Sequence, residues 1–177
     1  MSADSATVRI WDPLVRVVHW SLVTAFAAAF VTEDSARLHT AVGYVVLGLI
    51  AVRLVWGVIG PPHARFTSFV PSPARLGRYL SGLMRGRPER HLGHNPAGGV
   101  MIVLLLATVL GIAVTGWLAT TDRFWGVKWV EELHEMSAYF ALVLVGLHVT
   151  GVIVSSVLHR ENLVRAMITG RKAAAVE

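Results

Sequence analysis

The chain has 177 residues, a mean hydropathy of +0.59 and only 15% charged residues, against roughly a quarter in soluble domains. It contains no cysteine, which excludes structural disulfides and thiolate-held metal centres. Its net charge of +5 and pI near 10.4 do not mark a nucleic-acid binder, because the basic residues flank long apolar stretches.

Four of those stretches, residues 14–31, 39–59, 98–119 and 133–158, are long enough to cross a hydrocarbon core, which takes about 20 residues. Asp12-Pro13 leads into the first as an N-cap and first-position proline. That span carries Arg16 and His19 near its start and is followed by no convincing small-residue cleavage site. It is therefore expected to be a permanent helix rather than a signal peptide. The second span opens at His39 and bears Arg53 near its far end. In the loop after it, Ser72 and Pro73 begin a short helix with Leu76, Tyr79, Leu80 and Leu83 at helical spacing beside Arg75 and Arg78. An amphipathic helix of this kind lies in the membrane interface, against lipid. Gly86, Pro88 and the glycine-rich 93–99 stretch break the chain before the third span. The third span holds no histidine; the fourth holds His134 and His148. Leu163, Val164, Met167 and Ile168 then continue as an interfacial segment ahead of a polar tail. The expected fold class is an all-α membrane protein. It is a four-transmembrane-helix bundle with a short amphipathic interfacial helix in the cytoplasmic loop, in a single domain over residues 1–177.

Charge orients the spans. Thirteen of the sixteen Lys and Arg residues lie in or near the N-terminal arm, the middle loop and the C-terminal tail: Arg9, Arg16, Arg53, Arg65, Arg75, Arg78, Arg85, Arg87, Arg90, Arg160, Arg165, Arg171 and Lys172. The opposite side has Arg37, Arg123 and Lys128. The positive-inside rule places both termini in the cytoplasm. The outer side is acidic, with Glu33, Asp34, Asp122, Glu131, Glu132 and Glu135. Its plainer explanation is topology and the macrodipole at the start of the fourth helix; the alternative is a docking patch for a cationic partner. Trp117, Trp125 and Trp129 suit the interfacial aromatic belt.

Ionisable residues inside a membrane helix are costly and mark functional sites. His134 and His148 are 14 residues apart, close to four turns, which puts both on one helix face about 21 Å apart. Depth then pairs His39 with His134 near the outer face and His19 with His148 near the inner one. Zinc or manganese would collect its ligands at one depth, often with carboxylates, and a proton pump would carry intramembrane Asp or Glu. Two stacked imidazole pairs instead match the two axial positions of two haems. With no cysteine for a C-x-x-C-H link, neither would be covalently attached, and the candidate iron ligands are His19, His39, His134 and His148. Gly43, beside His39, and Gly146 and Gly151, around His148, would let a flat ring or another helix approach. Arg16 and Arg53 stand where they could reach the inner haem's propionates, or simply snorkel to the interface. His63, His91, His94 and His159 fall in or beside cytoplasmic loops and are weaker candidates; His94 could cap the third helix.

The segments that carry these histidines resemble the bacterial cytochrome b561 family, which includes the cytochrome b subunits of nickel–iron hydrogenases. Trp11-Asp12-Pro13-Leu14-Val15-Arg16-Val17-Val18-His19-Trp20 looks like the family's opening motif, whose histidine is a haem ligand. Leu38-His39-Thr40-Ala41-Val42-Gly43-Tyr44, running on to Arg53-Leu54-Val55-Trp56-Gly57, is similar to its second helix, again with a ligating histidine. Gly93-His94-Asn95-Pro96-Ala97-Gly98-Gly99 resembles its lead-in to the third helix, and Glu132-Leu133-His134-Glu135 with Gly146-Leu147-His148 its ligand pair on the fourth. The resemblance implies a four-helix bundle in the bacterial inner membrane. It would pass electrons through two bis-histidine haems between the quinone pool and a redox partner such as a c-type cytochrome or a hydrogenase. A stand-alone superoxide:quinone oxidoreductase and a haem-carrying sensor or assembly protein are the alternatives, and a second copy of the chain is a further candidate partner.

Overall fold

The computed structural model describes residues 7–87, 89 and 91–174; Pro88 and Arg90, invoked above in the loop break and the charge distribution, lie outside the described residues. The chain runs through β1 (Thr7–Arg9), α1 (Pro13–Val31), α2 (Ala36–Ile59), the short α3 (Phe66–Phe69), α4 (Pro73–Met84), α5 (Pro96–Ala119), α6 (Lys128–Leu158), α7 (Leu163–Thr169) and β2 (Arg171–Ala173). Helices α1, α2, α5 and α6 are long and apolar enough to cross a membrane, so the all-α, four-span expectation holds. Each begins slightly earlier than the apolar run that announces it. α5 starts at Pro96 because Asn95 Oδ1 accepts from Gly98 N at 2.7 Å. α6 starts at Lys128 and places Glu131 in its first turn, where the helix dipole favours an anion.

The chain divides into two compact units, each drawn from several separate stretches: residues 17–55 with 104–146, and residues 1–16, 56–103 and 147–177. In the first of these, segments of α1, α2, α5 and α6 form a bundle. Its core holds Ala25 from α1, Val46 and Ile50 from α2 and Ala113 from α5, with Leu22, Leu47 and Leu110 packed around them. The outward faces are also apolar: Val45, Val52, Leu142 and Val143 are exposed. A helix apolar all round belongs in a protein core or in lipid.

The second unit is where the sequence motifs interlock. Asp12 Oδ1 accepts from Leu14 N at 2.9 Å and Val15 N at 3.3 Å, capping α1, and also from Trp56 Nε1 at 3.1 Å. The His94 ring packs on Trp11, centroids 4.5 Å apart, and on Phe69 at 4.7 Å. His94 is therefore not the cap of α5; its imidazole is engaged by two aromatic rings, and the shorter Asn95 side chain supplies the oxygen. Gly57 lies against the Phe66 ring, and Gly99 against the Phe69 carbonyl.

Two short segments that flank the first and last helices pair with each other, a contact the sequence did not announce. β1 and β2 pair antiparallel, Thr7 opposite Ala173 and Arg9 opposite Arg171. Gly170, with φ of 81°, reverses the chain after α7, a left-handed turn that glycine adopts without steric cost. Its carbonyl accepts from Ile10 N at 2.9 Å and Trp11 N at 3.1 Å. Arg16 donates to Ile168 O at 3.0 Å, in the last turn of α7. Lys172, buried, bonds the Glu161 carboxylate at 3.0 Å and His91 O at 3.2 Å. α4 is capped by Ser72, as expected, with Pro73 opening the helix. Tyr79 on its inner face is buried against His91; burial, and then the Glu89 carboxylate, push its phenol up.

A methyl group at residue 99 would collide with backbone, which cannot swing aside. Gly99→Ala is expected to lower stability by about 1–3 kcal/mol, read as a lower melting temperature of the detergent-solubilised protein. Gly77→Ala, where an added Cβ meets nothing within 4 Å, should leave it unchanged or raise it. Equal melting temperatures for Gly99→Ala and the parent would contradict this packing.

Candidate functional site

His39 and His134 come together in the bundle of residues 17–55 and 104–146, their ring centroids 5.9 Å apart and their planes at 78°. Their placement follows from how the helices end. α1 stops at Val31, and Thr32 N and Oγ1 both close back on Ala28 O, at 3.0 and 2.8 Å. The last four carbonyls of a helix lack intrahelical donors. One of them, Ala29 O, lies 3.0 Å from His39 Nδ1 in the first turn of α2. Across the site, His134 Nδ1 lies 2.9 Å from Ile112 O and 3.2 Å from Thr115 Oγ1, both on α5. A carbonyl only accepts, so each Nδ1 carries the proton and each Nε2 presents its lone pair. Both imidazoles are thereby held in the tautomer that binds a metal through Nε2.

Gly116 makes the second of these contacts possible. An ideal Cβ there would sit 2.9 Å from His134 Cε1 and 3.3 Å from Nδ1. The residue four after Ile112 covers that carbonyl on the helix surface; only without a side chain can the imidazole reach it. The histidine-free α5 thus supplies the seat for the histidine of α6.

The two rings line a cavity of about 320 Å³, walled largely by apolar side chains such as Phe26, Phe30, Leu47 and Val109, the character of a cofactor pocket. Among the described residues no three His, Cys, Asp or Glu side chains cluster as a metal cage; the donor set here is two imidazoles. Two metal–nitrogen bonds of about 2 Å, with the inner halves of two rings, span about 6 Å. The observed 5.9 Å between ring centroids is the separation at which these two imidazoles could hold one metal, and the apolar lining would suit an apolar cofactor. Glu33 and Glu135 line the same cavity, so two of the acidic residues noted in the sequence border the site.

The other site candidates are placed separately. His19, on α1, is half-buried with Trp20 edge-on at 5.1 Å; His148, on α6, is half-buried in the other unit. Arg53 is buried on α2, while Arg16 is engaged with α7. Gly43 lines the cavity beside His39. An added Cβ at Gly43, Gly146 or Gly151 meets no protein atom within 4 Å, so no other helix lies close against these glycines; the close protein contact is at Gly116. Of the weaker histidines, His63 is exposed, His91 faces Tyr79, and His159, just past the end of α6, has Nδ1 2.9 Å from Ser155 O in the last turn of that helix. Sequence reasoning missed Ala29 and Ile112, which act through backbone carbonyls that carry no residue-type signal. It also missed Thr115-Gly116, whose only signal is a hydroxyl beside a glycine in the span without histidine.

The family model for prokaryotic cytochrome b561 matches residues 10–170. A probable Ni/Fe-hydrogenase B-type cytochrome subunit of Rhizobium leguminosarum bv. viciae is 22% identical, the match covering 96% of this chain and 90% of that protein. Proteins of the same name from Cupriavidus necator and Azotobacter vinelandii are 25% and 23% identical; these matches cover 91% and 75% of this chain, and 85% and 65% of theirs. No solved structure matches the chain significantly. With the match running from β1's end to the turn after α7 and both His39 and His134 inside it, the chain belongs to the prokaryotic cytochrome b561 family.

Proposed function

We propose that this protein moves electrons across the bacterial inner membrane between the quinone pool and a redox-enzyme partner, using two b-type haems. His39 and His134 hold the outer one, and His19 and His148 the inner one. Family membership carries the coarser part: an integral membrane protein that transfers electrons through haem b. What supports His39 and His134 as one ligand pair is their two Nδ1 contacts, His39 to Ala29 O at 3.0 Å and His134 to Ile112 O at 2.9 Å, which leave Nε2 as the metal-binding atom of each ring. Held by two histidines, a haem would supply one-electron transfer rather than oxygen or peroxide chemistry.

The chain's own residues then divide the work. The two carbonyls keep the Nδ1 protons in place and fix ring orientation, so little rearranges when the charge of the centre changes. Gly116 keeps the His134 ring seated. For the inner pair the support is sequence depth: 14 residues separate His134 from His148 on one uninterrupted helix. Arg53 and Arg16 offer positive charge to propionates on that basic side, Arg16 with part of its guanidinium committed to Ile168 O. Quinone, an apolar carrier, enters from the bilayer on the basic side; the protein partner docks on the acidic side, through residues such as the exposed Glu131 and Glu132. The names of the hydrogenase-linked relatives support a redox enzyme as that partner.

Two haems per chain, both released by acidified organic solvent, are the expected stoichiometry. His39→Ala and His134→Ala should remove the same component of a redox titration, and His19→Ala and His148→Ala the other. One haem per chain, or loss of one and the same component in His39→Ala and His148→Ala, would overturn the pairing.

Gly116→Ala should displace His134 by several tenths of an ångström. The expected result is a changed midpoint potential or reduced occupancy of the His39/His134 component alone. Gly111→Ala, one turn and a fraction earlier on α5 with nothing within 4 Å of an added Cβ, should match the parent. A Gly116→Ala protein with both components unaltered would remove Gly116 from the site.

A further inference from the structure

The two imidazoles of the cavity are not held alike. His39 Nδ1 meets the Ala29 carbonyl at 3.0 Å; His134 Nδ1 meets both the Ile112 carbonyl at 2.9 Å and the Thr115 hydroxyl at 3.2 Å. Thr115 is buried, 7% exposed, one of three buried polar or charged residues among the described ones. Its hydroxyl is 2.8 Å from Gly111 O and 3.0 Å from Ile112 O. A hydroxyl has one proton and two lone pairs. That proton goes to a carbonyl of its own helix, most directly to Gly111 O, because carbonyls cannot donate. Toward His134, whose Nδ1 must itself donate to Ile112 O, the Thr115 oxygen can only accept. The Nδ1–H of His134 is therefore shared between two acceptors.

We infer that Thr115 is a positioning residue that sets the redox poise of the His39/His134 centre by accepting part of the Nδ1–H of His134. The inference rests on the proposed ligation by His134. Withdrawing the Nδ1 proton toward a second acceptor makes the imidazole a stronger electron donor at Nε2. A more basic axial ligand favours the oxidised state of the metal it holds, so the second acceptor lowers the potential of this centre. In a low-dielectric interior, a second hydrogen bond to the same donor counts more than at a surface. Mid-helix threonines often do no more than return their proton to the preceding turn. Such a threonine could be replaced by valine with no electrochemical consequence, and this is the point on which the two roles part.

Thr115→Val keeps the shape and removes the acceptor; Thr115→Ser keeps the acceptor. Spectroelectrochemical titration of the purified, haem-loaded protein should show one component shifted to more positive potential in Thr115→Val. The expected change in its reduction equilibrium is about three- to tenfold, the size of one hydrogen bond. Haem content and the other component should stay at parent values, and Thr115→Ser should restore the parent potential. Unchanged potentials in Thr115→Val, equal shifts in both components, or a Thr115→Ser protein displaced as far as Thr115→Val would each overturn the inference. His134→Ala keeps its failure separate from failure of the ligand assignment. Loss of one component in His134→Ala with an unmoved Thr115→Val potential rejects the role of Thr115 alone. Retention of both components in His134→Ala rejects the ligation on which it rests.

Discussion

The donation of an imidazole Nδ1–H to a backbone carbonyl is the interaction on which the site depends. A histidine free to rotate between tautomers inside an apolar bundle presents no defined metal-binding atom; one pinned through Nδ1 presents Nε2 and nothing else. Two helices are shaped to supply the acceptors. α1 stops at Val31, leaving Ala29 O without a helical donor, and α2 begins early enough to put His39 in its first turn. α5 runs on past the site and instead gives up a side chain at Gly116 so that His134 can reach Ile112 O. One acceptor comes from ending a helix and the other from thinning one.

The residues that carry the family likeness divide between two physical tasks. His39 and His134 meet at the cavity. Trp11, Asp12, Trp56, His94 and Gly99 meet elsewhere, in the unit that also holds the paired chain ends. There Asp12 caps α1 while accepting from Trp56, His94 fills the space between two aromatic rings, and Gly99 lets α5 lie against the Phe69 carbonyl. These are bonds between segments far apart in sequence, made by short polar side chains and small residues in a chain with few charges to spend on ion pairs. In the buried Lys172–Glu161 contact, Lys172 also bonds His91 O at 3.2 Å, which helps offset the cost of burying its charge.

Much of this was legible in the sequence because membrane solvent makes the code simple. Spans must be long, apolar and helical, and all four appear within five residues of where the apolar runs put them. The histidines stood out because ionisable groups in such spans are rare. What was not legible depends on features with no residue-type signature. Three-residue strands are too short to show alternation, so β1 and β2 were unreadable. The carbonyls of Ala29 and Ile112 belong to residues whose side chains say nothing about them. His94 was misread as a cap because its neighbour Asn95 offers the same chemistry with a shorter reach. The glycines near His39 and His148 were obvious by proximity in sequence, whereas Gly116 matters by proximity in space to His134, 18 residues further along the chain.

The most direct measurement is a high-resolution cryo-electron microscopy or crystal structure of the haem-loaded protein. Iron should lie between Nε2 of His39 and Nε2 of His134, with both Nδ1 atoms still within hydrogen-bond distance of Ala29 O and Ile112 O. Iron bound to only one of these histidines, or either ring turned so that Nδ1 faces the metal, would contradict the ligation proposed for this cytochrome.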